Sequence, residues 1–237
     1  MAEAVLEVSG VTAGYGPAEV LFGVDLTLER GEVAALMGRN GAGKSTTMKA
    51  IMGMLPPRAG QVRFAGQDIT GWAPYRIARA GLGYVPEDRR IFTDLTVAEN
   101  LEVGRRPAQG ARAAWTVERL YEIFPNLAEM RGRRAAAMSG GEQQMLTIAR
   151  TLMGNPEAVL LDEPSEGLAP VIVELMAEAV LRMKAEGLAV LLSEQSLDFA
   201  AAVSDRAYVI EKGSIRFAGT MAALEADDHI RTTYLTV

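Results

Sequence analysis

Alternating apolar and polar residues predict short antiparallel strands near both ends of the chain. Val24, Leu26 and Leu28 are separated by polar residues, and this period of two is typical of a strand with one buried face. Residues 207–210 and 214–218 lie on either side of a Lys-Gly turn, which predicts a closing hairpin. We therefore expect an antiparallel sheet at the start of the chain and a hairpin near its end.

Three continuous apolar runs predict strands that are buried on both faces, as in a parallel sheet. They are residues 33–37, 158–161 and 188–192. Between the last two runs, apolar residues recur at the i, i+3, i+4 spacing of an amphipathic helix. The predicted buried face of that helix consists of Ile172, Leu175, Met176, Ala179, Val180 and Met183. The alternation of buried strands and amphipathic helices indicates an α/β fold.

The middle of the chain differs in composition from its two ends. Residues 97–152 are rich in Ala, Arg, Glu and Leu, and we interpret them as a mostly helical insertion. A single domain is therefore predicted over residues 1–237. Its parts are an α/β core with the antiparallel β lobe at 1–86 and 155–220, a helical lobe at 87–154, and a helical tail at 221–237.

Composition excludes several classes of function. The 237 residues include 24 Lys+Arg, 30 Asp+Glu, one His and no Cys, giving a net charge of −6. Disulfides, zinc ribbons, iron–sulfur clusters and thiol nucleophiles are therefore excluded, and so are metal sites with several histidines. The acidic charge argues against a nucleic-acid partner. We expect no signal peptide at the start and no apolar run long enough to cross a bilayer.

A glycine-rich segment after the first buried run matches the phosphate-loop pattern G-x-x-x-x-G-K-[ST] over residues 38–45. Its backbone N–H groups would face phosphate oxygens, Lys44 would reach the β- and γ-phosphates, and the Ser45 hydroxyl would ligate Mg²⁺. The alternative is a glycine-rich turn with an exposed lysine. The candidate nucleotide-binding residues here are Gly38, Asn40, Gly41, Ala42, Gly43, Lys44, Ser45 and Thr46.

Two carboxylates follow the second buried run directly. Asp162 would hold Mg²⁺ through water, as in other phosphate-loop NTPases, and Glu163 would polarise the attacking water as a general base. Alternatively, both simply end a strand before the turn that Pro164 begins. The phosphate loop upstream favours the catalytic interpretation.

The third segment, S-G-G-E at residues 139–142, has two compatible interpretations. Ser139 and Glu142 fit a capping box that starts a helix at 143–153. The two glycines beside that helix N-terminus also suit a γ-phosphate. If this segment and the phosphate loop lie on separate lobes, one chain cannot place both around one nucleotide. A second subunit would then complete the site.

The order of phosphate loop, S-G-G-E segment and L-L-D-E-P strand end resembles the ATP-binding subunit of ABC transporters, over essentially the whole chain from Leu6. Residues 85–92, 166–170 and 194–195 more narrowly resemble the smaller ATP-binding subunit of branched-chain amino-acid uptake systems. The resemblance implies a P-loop NTPase (RecA-like) α/β core with an antiparallel β subdomain and an α-helical subdomain. It also implies ATP and Mg²⁺ as cofactors.

Further roles are implied by the resemblance alone. Tyr15 would stack on adenine, with a loop tyrosine resting on the sheet edge as the alternative. Glu87 would sense Mg²⁺, and Gln195 would act at the γ-phosphate beside the catalytic residues Glu163 and Lys44. The ATP of a partner subunit would contact Ser139, Gly140, Gly141 and Glu142.

The chain departs from the general family pattern at three positions. Glu87 stands where most members have Gln, Ala169 where an Asp crosses the dimer interface, and Gln195 where most have His. A glutamine donates hydrogen bonds but is never cationic, so these departures bear on hydrolytic strength rather than on nucleotide binding.

Arg89 and Arg90 are expected either to contact the membrane subunits or to be solvated charges.

The function implied by the resemblance is an ATP-hydrolysing motor of an importer for branched-chain or related amino acids. The expected partners are a second ATP-binding subunit (a homologous chain or another copy), two integral membrane permease subunits and, indirectly, an extracytoplasmic binding protein. The expected location is the cytoplasmic face of the membrane, as a peripheral subunit. The alternatives are a urea or amide importer, a weakly hydrolysing regulatory cassette, and a soluble ABC ATPase outside transport.

Overall fold

The computed structural model describes residues 4–108 and 113–235. Its strands form two sheets. The strands are β1 (Ala4–Tyr15), β2 (Ala18–Glu29), β3 (Val33–Met37), β4 (Ala59–Phe64), β5 (Gln67–Asp68), β6 (Leu82–Val85), β7 (Ala158–Asp162), β8 (Ala189–Glu194), β9 (Arg206–Glu211) and β10 (Ser214–Thr220).

The antiparallel sheet has the strand order β2-β1-β4-β5. In β2, Val24, Leu26 and Leu28 are buried while the residues between them are exposed, which confirms the predicted alternation. This sheet packs against the larger one through Tyr208, whose hydroxyl donates to the Thr27 carbonyl oxygen at 2.9 Å.

The larger sheet has the order β10-β9-β3-β8-β7-β6, with the first pair antiparallel and the remaining pairs parallel. All residues of β3, β7 and β8 are buried, so the three apolar runs are confirmed as strands covered on both faces. In β3, Ala34 and Leu36 face the antiparallel sheet, while Val33, Ala35 and Met37 face the core shared with the helical region. The predicted hairpin is confirmed as β9 and β10.

Helices cover the larger sheet and fill the region between β6 and β7. They are α1 (Lys44–Ile51), α2 (Pro74–Arg79), α3 (Val97–Gly104), α4 (Val117–Ile123), α5 (Pro125–Glu129), α6 (Gly140–Leu152), α7 (Pro170–Ala185), α8 (Leu197–Val203), α9 (Met221–Ala226) and α10 (Asp228–Ile230). A 3₁₀ turn spans Ala135–Ala137 and a π turn spans Arg231–Leu235. The predicted helical insertion and helical tail are confirmed within the described residues.

Two details of the helix predictions are wrong. Leu175 on α7 is 39% exposed, whereas Met176 and Ala179 are buried, so the buried face of this helix is narrower than its apolar stripe. The helix after the S-G-G-E segment begins at Gly140 rather than at residue 143, because the capping residue Ser139 immediately precedes the first turn. The division of the chain into lobes stays a prediction.

The carboxyl ends of the parallel strands lie together at one edge of the sheet. β3 leads into the phosphate loop, β7 ends at Asp162, and β8 ends at Glu194. Since β6 lies beside β7 in parallel, Glu87 follows at the same edge. The carboxyl edge of a parallel sheet is where such folds bind their ligands.

Candidate functional site

The phosphate loop wraps tightly between β3 and α1. Gly41 and Gly43 have positive φ values of 77° and 117°, which glycine adopts without strain. A Cβ atom on Gly38 would lie 2.5 Å from the Ile210 carbonyl oxygen, so no side chain fits there. The backbone path of the loop therefore requires glycine at these three positions.

A cavity of about 430 Å³ opens above the loop. The residues that line it are Val20, Asn40, Gly41, Gly43, Lys44, Ser45, Thr46, Glu87, Glu163 and Glu166. Six of the eight nucleotide-binding residues predicted in the phosphate loop therefore line one cavity. Gly38 and Ala42 are buried within the loop and do not line the cavity.

Lys44 lines the cavity, and its side chain is buried. Its Nζ atom donates to the carbonyl oxygens of Gly38 at 2.8 Å and Arg39 at 3.2 Å. It also forms a salt bridge of 2.9 Å with Glu163 Oε1. The other carboxylate oxygen of Glu163 accepts a 2.8 Å hydrogen bond from Gln195 Nε2. The three predicted catalytic residues therefore form one connected group.

The two predicted Mg²⁺ ligands from different motifs meet at the end of β7. Ser45 Oγ donates to Asp162 Oδ1 at 3.0 Å, and Ser193 Oγ donates to the same oxygen at 2.7 Å. Tyr84 donates to Asp162 Oδ2 at 3.1 Å, and burial raises the pKa of Tyr84. A hydroxyl and a carboxylate held together suit Mg²⁺, which takes few protein ligands and keeps substrate oxygens and waters.

A metal cage made of protein side chains is not part of this site. The described residues contain no group of three or more Asp, Glu or His side chains that could hold a metal ion. Glu87 lines the cavity but is exposed. The donor set therefore fits Mg²⁺ bound together with a phosphate, and it does not fit a resident metal.

Glu166 lies beside Glu163, and the two side chains share a hydrogen bond. A hydrogen bond to Glu163, followed by burial and the charges of Glu163 and Glu87, raises the pKa of Glu166 to about 7. Burial opposes ionisation of Glu163, but hydrogen bonds from Glu166, Lys44 and Gln195 outweigh it and lower its pKa. The Glu163 carboxylate is therefore ionised, as a general base requires.

Replacing Glu166 by glutamine is expected to change how stability depends on pH. Because the pKa of Glu166 is raised above its ordinary value of 4.5, the folded state binds this proton more tightly than the unfolded state. The contribution of protonated Glu166 to the stability of the folded state is complete below pH 4.5. It is lost as the pH rises through about 7. The difference in Tm between the unmodified chain and Glu166→Gln should therefore fall between about pH 5 and 8.

Thermal melts across this pH range check the expectation. Glu178→Gln, at an exposed position of α7, is the matched control. A Tm difference for Glu166→Gln that stays constant with pH would contradict the raised pKa.

Tyr15 ends β1 and is 49% exposed. It does not line the phosphate-loop cavity, and its exposed ring is accessible to a base. The loop that follows is fastened by Arg58, whose guanidinium donates to the Gly16 carbonyl oxygen. This geometry is compatible with adenine stacking and with a tyrosine resting on the sheet edge.

Tyr15→Ala is expected to weaken ATP binding by about tenfold, since stacking of an aromatic ring on a base contributes about 1–3 kcal/mol. Isothermal titration with Mg²⁺-ATP measures the effect. Tyr75→Ala removes another exposed tyrosine, on α2, and serves as the control. If both variants bind ATP with unchanged affinity, Tyr15 has only a structural role.

The S-G-G-E segment does not line the phosphate-loop cavity of its own chain. Ser139 caps α6, and its backbone N–H donates to Glu142 Oε2 at 2.7 Å. The capping box is therefore confirmed, and the Glu142 carboxylate accepts one of its hydrogen bonds. Ser139 is exposed and Gly140 is half-buried, so this end of α6 remains open to another molecule.

The two arginines before α3 have different surroundings. Arg90 pairs with Asp88 at 2.8 Å and its side chain is 63% exposed, as expected of a solvated charge. Arg89 lies against Gly140 instead, since a Cβ atom on that glycine would lie 2.8 Å from Arg89 Nη1. Both arginines have positive φ values, of 62° and 51°. This left-handed backbone conformation raises the free energy of a residue with a side chain by about 1–2 kcal/mol.

A second cavity, of about 520 Å³, lies away from this chemistry. Its lining includes Arg30, Gly81 and Glu157, which precede the amino ends of β3, β6 and β7. It therefore opens at the opposite edge of the sheet from the phosphate loop.

Among the residues that the structure describes, no helix has both the length and the apolar character needed to cross a membrane.

Sequence reasoning missed three residues that build the site. Ser193 and Tyr84 hold Asp162, and Glu166 holds Glu163. Ser193 could have been found, because it follows a buried apolar run at the same sheet edge as Asp162. Tyr84 could not, because its four-residue strand β6 has no clear apolar run.

Comparisons with known proteins agree with this geometry. The family model described as "ABC transporter" matches residues 21–166. A high-affinity branched-chain amino acid transport ATP-binding protein of Pseudomonas aeruginosa, BraG, is 40% identical and covers 98% of this chain and 99% of its own length. A lipopolysaccharide export system ATP-binding protein of Escherichia coli, LptB, is 32% identical over 98% of this chain and 97% of its own.

A solved structure shares the whole fold. The ADP conformation of an ATP-binding cassette of an ABC transporter is 28% identical and has a TM-score of 0.82. The match covers 97% of this chain and 98% of that chain. The fold is therefore the P-loop NTPase core with antiparallel and helical subdomains that the resemblance implied.

Proposed function

The chain belongs to the ABC transporter family as an ATP-binding cassette of the ATPase class, and from this we propose that it energises uptake of branched-chain or related amino acids. The observation that carries the ATP-hydrolysing part of the proposal is the meeting of Ser45 and Asp162 at 3.0 Å beside Lys44 and Glu163 at 2.9 Å. Phosphate binding, metal binding and a general base thus share one cavity.

The proposed roles follow from these positions. The backbone of Gly41 and Gly43 and the Lys44 ammonium bind the phosphates of ATP, while Thr46 and Asn40 border them. Ser45 and Asp162, with Glu87 nearby, would hold Mg²⁺, which neutralises charge on the phosphate oxygens when bound. Glu163 orients and deprotonates the attacking water, and Gln195 holds Glu163 in place.

A second ATP-binding subunit is proposed because the S-G-G-E segment lies outside the chain's own cavity. Its exposed Ser139 and the N-terminus of α6 would meet the ATP of the partner, as suits an anion at a helix N-terminus. Ala169, exposed before α7, would lie near this interface without the charge that most family members carry there. Two ATP molecules would then lie between two subunits.

Membrane partners are proposed from the transport systems to which the relatives belong. Two integral permease subunits would receive the motion, an extracytoplasmic binding protein would deliver the substrate, and this chain would lie at the cytoplasmic face. Phe92 and Val103 in the helical region are 47% and 57% exposed. Such exposed apolar side chains support a contact with another protein.

The substrate class rests on similarity rather than on a site in this chain. BraG is more similar to the chain than LptB, at 40% against 32% identity, which favours branched-chain amino acids over lipopolysaccharide. A urea or amide importer is the alternative within uptake. The ionised Glu163, aligned by Gln195, argues against a weakly hydrolysing regulatory cassette.

Two measurements test the proposal. First, steady-state Mg²⁺-dependent ATP hydrolysis is measured over a range of protein concentrations, and a rise steeper than linear supports a dimeric site. Second, the complex with its permease subunits in proteoliposomes is tested for ATP-dependent uptake of leucine and, as the control, urea. Hydrolysis strictly proportional to protein would contradict the shared site, and uptake of urea alone would contradict the substrate class.

A further inference from the structure

Glu194, the last residue of β8, places its carboxylate between two segments of the site. The side chain is buried, with 2% of the residue exposed. Its Oε1 atom accepts a 3.1 Å hydrogen bond from the Ser165 backbone N–H. Its Oε2 atom accepts hydrogen bonds from the backbone N–H groups of Gln195 at 3.1 Å and Ser196 at 3.4 Å. One carboxylate therefore joins the turn after β7 to the segment after β8.

Each of these two segments carries a residue with a proposed role in hydrolysis. Glu163 lies two residues before Ser165 in the turn. The side chain of Gln195 donates to Glu163 Oε2 at 2.8 Å. The Glu194 carboxylate thus holds the turn that contains the base and the backbone of the residue that contacts the base. A change at Glu194 would therefore reach Glu163 along two routes.

The backbone of Glu163 depends on support from β8. Its φ is 48°, in the left-handed region, which side chains disfavour and which persists only where the surrounding structure holds it. The Glu163 N–H donates to the Ser193 carbonyl oxygen at 3.1 Å and to Ser193 Oγ at 3.0 Å. Two consecutive residues of β8, Ser193 and Glu194, therefore hold the base and the turn that follows it.

A local role before α8 does not account for Glu194. Ser196 already caps this helix, because its side chain accepts a 3.3 Å hydrogen bond from the Phe199 N–H. Burial raises the pKa of Glu194, and hydrogen bonds from Ser165, Gln195 and Ser196 oppose this effect. A buried charge is costly unless hydrogen bonds satisfy it. The bond from Ser165, 29 residues away, is the contact that a helix cap would not need.

We propose that Glu194 is a positioning residue for ATP hydrolysis, which sets the orientation of the Glu163 carboxylate through Gln195 and through the turn at Ser165. The proposal rests on the ATP-hydrolysing part of the proposed function. Glu194 does not line the phosphate-loop cavity, so it acts without touching ATP. Loss of its hydrogen bonds should therefore lower turnover and leave ATP binding unchanged.

Glu194→Gln tests this role, because it keeps the side-chain shape but replaces one acceptor oxygen by an NH₂ group that faces a backbone N–H. Steady-state phosphate release should show kcat lowered by about 10–100-fold, as for a catalytic group displaced by about 1 Å, with KM for Mg²⁺-ATP within about twofold. Glu32→Gln is the matched control. Its carboxylate accepts a 2.8 Å hydrogen bond from the Glu29 N–H at the opposite edge of the sheet.

A double-variant cycle separates positioning from a loss of folded protein. In a chain that already carries Glu163→Gln, Glu194→Gln should change kcat by less than about twofold, because no base remains to be oriented. A merely structural role would lower kcat by the same factor in both backgrounds. Radiolabelled ATP detects the residual rate of Glu163→Gln, and thermal melts show whether each variant folds.

Glu194→Asp is the second variant. It keeps the charge, but its shorter side chain cannot reach both segments, so the same pattern is expected with a kcat between those of the unmodified chain and Glu194→Gln. If Glu194→Gln gives no cooperative melt, Glu194→Asp decides in the same cycle.

The outcomes separate the role of Glu194 from the proposed function. An unchanged kcat, a loss confined to KM, or equal losses with and without Glu163 would each overturn the positioning role alone. If the unmodified chain hydrolyses no ATP, the proposed function is wrong and the role of Glu194 falls with it.

Discussion

Replacing Lys44 by alanine is expected to weaken binding of Mg²⁺-ATP by at least about a hundredfold, since charge-assisted hydrogen bonds to phosphate contribute about 1.5–3 kcal/mol each. Lys44 is 3% exposed, and its ammonium is already directed by the carbonyl oxygens of Gly38 and Arg39. Binding therefore needs little reorganisation of the lysine. Titration calorimetry with Mg²⁺-ATP measures the loss.

The same substitution leaves Glu163 without its cation, which also lowers the stability of the nucleotide-free chain. The double variant Lys44→Ala/Glu163→Gln separates the two effects, because it removes the unpaired charge. It should regain thermal stability but not ATP affinity. Lys49→Ala, at the end of α1, is the control for loss of a lysine from the same helix. ATP binding of normal affinity by Lys44→Ala would refute the phosphate-loop assignment.

The framework of this site could be predicted because its parts are local in sequence. The run 33–37, the loop and α1 follow one another along the chain, and the phosphate-loop pattern lies directly between the run and the helix. Asp162 and Glu163 come directly after a buried run, so the parallel sheet that the pattern predicts already places them near Lys44. The fold and the main site residues therefore depend on short, contiguous signals.

The remaining contacts depend on the three-dimensional path of the backbone, both between distant segments and within tight turns. Arg89 and Gly140 are in contact although about fifty residues separate them, and nothing in either segment indicates the other. Glu166 reaches Glu163 through a tight turn, in which the Glu166 N–H donates to the Glu163 carbonyl oxygen at 3.2 Å. Such pairings follow from the path of the backbone, which residue patterns do not specify.

The second large effect concerns Glu163. Glu163→Gln is expected to lower ATP hydrolysis by about 10²–10⁴-fold, the usual contribution of a positioned general base. Steady-state phosphate release measures the rate, with Glu178→Gln on α7 as a control that removes a carboxylate elsewhere. A rate within about threefold of the unmodified chain would mean that another group activates the water.

ATP affinity should respond in the opposite direction. In the nucleotide-free chain, Lys44 is paired with Glu163 at 2.9 Å, so incoming phosphates compete with a carboxylate for the same ammonium. Glutamine carries no charge and releases Lys44, and the affinity for ATP should therefore rise while turnover falls. Tighter binding together with slow hydrolysis keeps ATP in the site of Glu163→Gln. Light scattering of this variant should therefore show a dimer that forms with Mg²⁺-ATP and persists.

The pairing of Lys44 with Glu163 also determines the state of the general base before ATP binds. Gln195 contacts one oxygen of Glu163 and the Lys44 ammonium contacts the other, so Lys44 takes up acceptor capacity of the base while the site lacks phosphate. Binding of phosphate to Lys44 frees Oε1 and leaves Oε2 aligned by Gln195. Gln195→Ala should therefore lower the rate of hydrolysis more than ATP affinity, in contrast with Lys44→Ala, which lowers both.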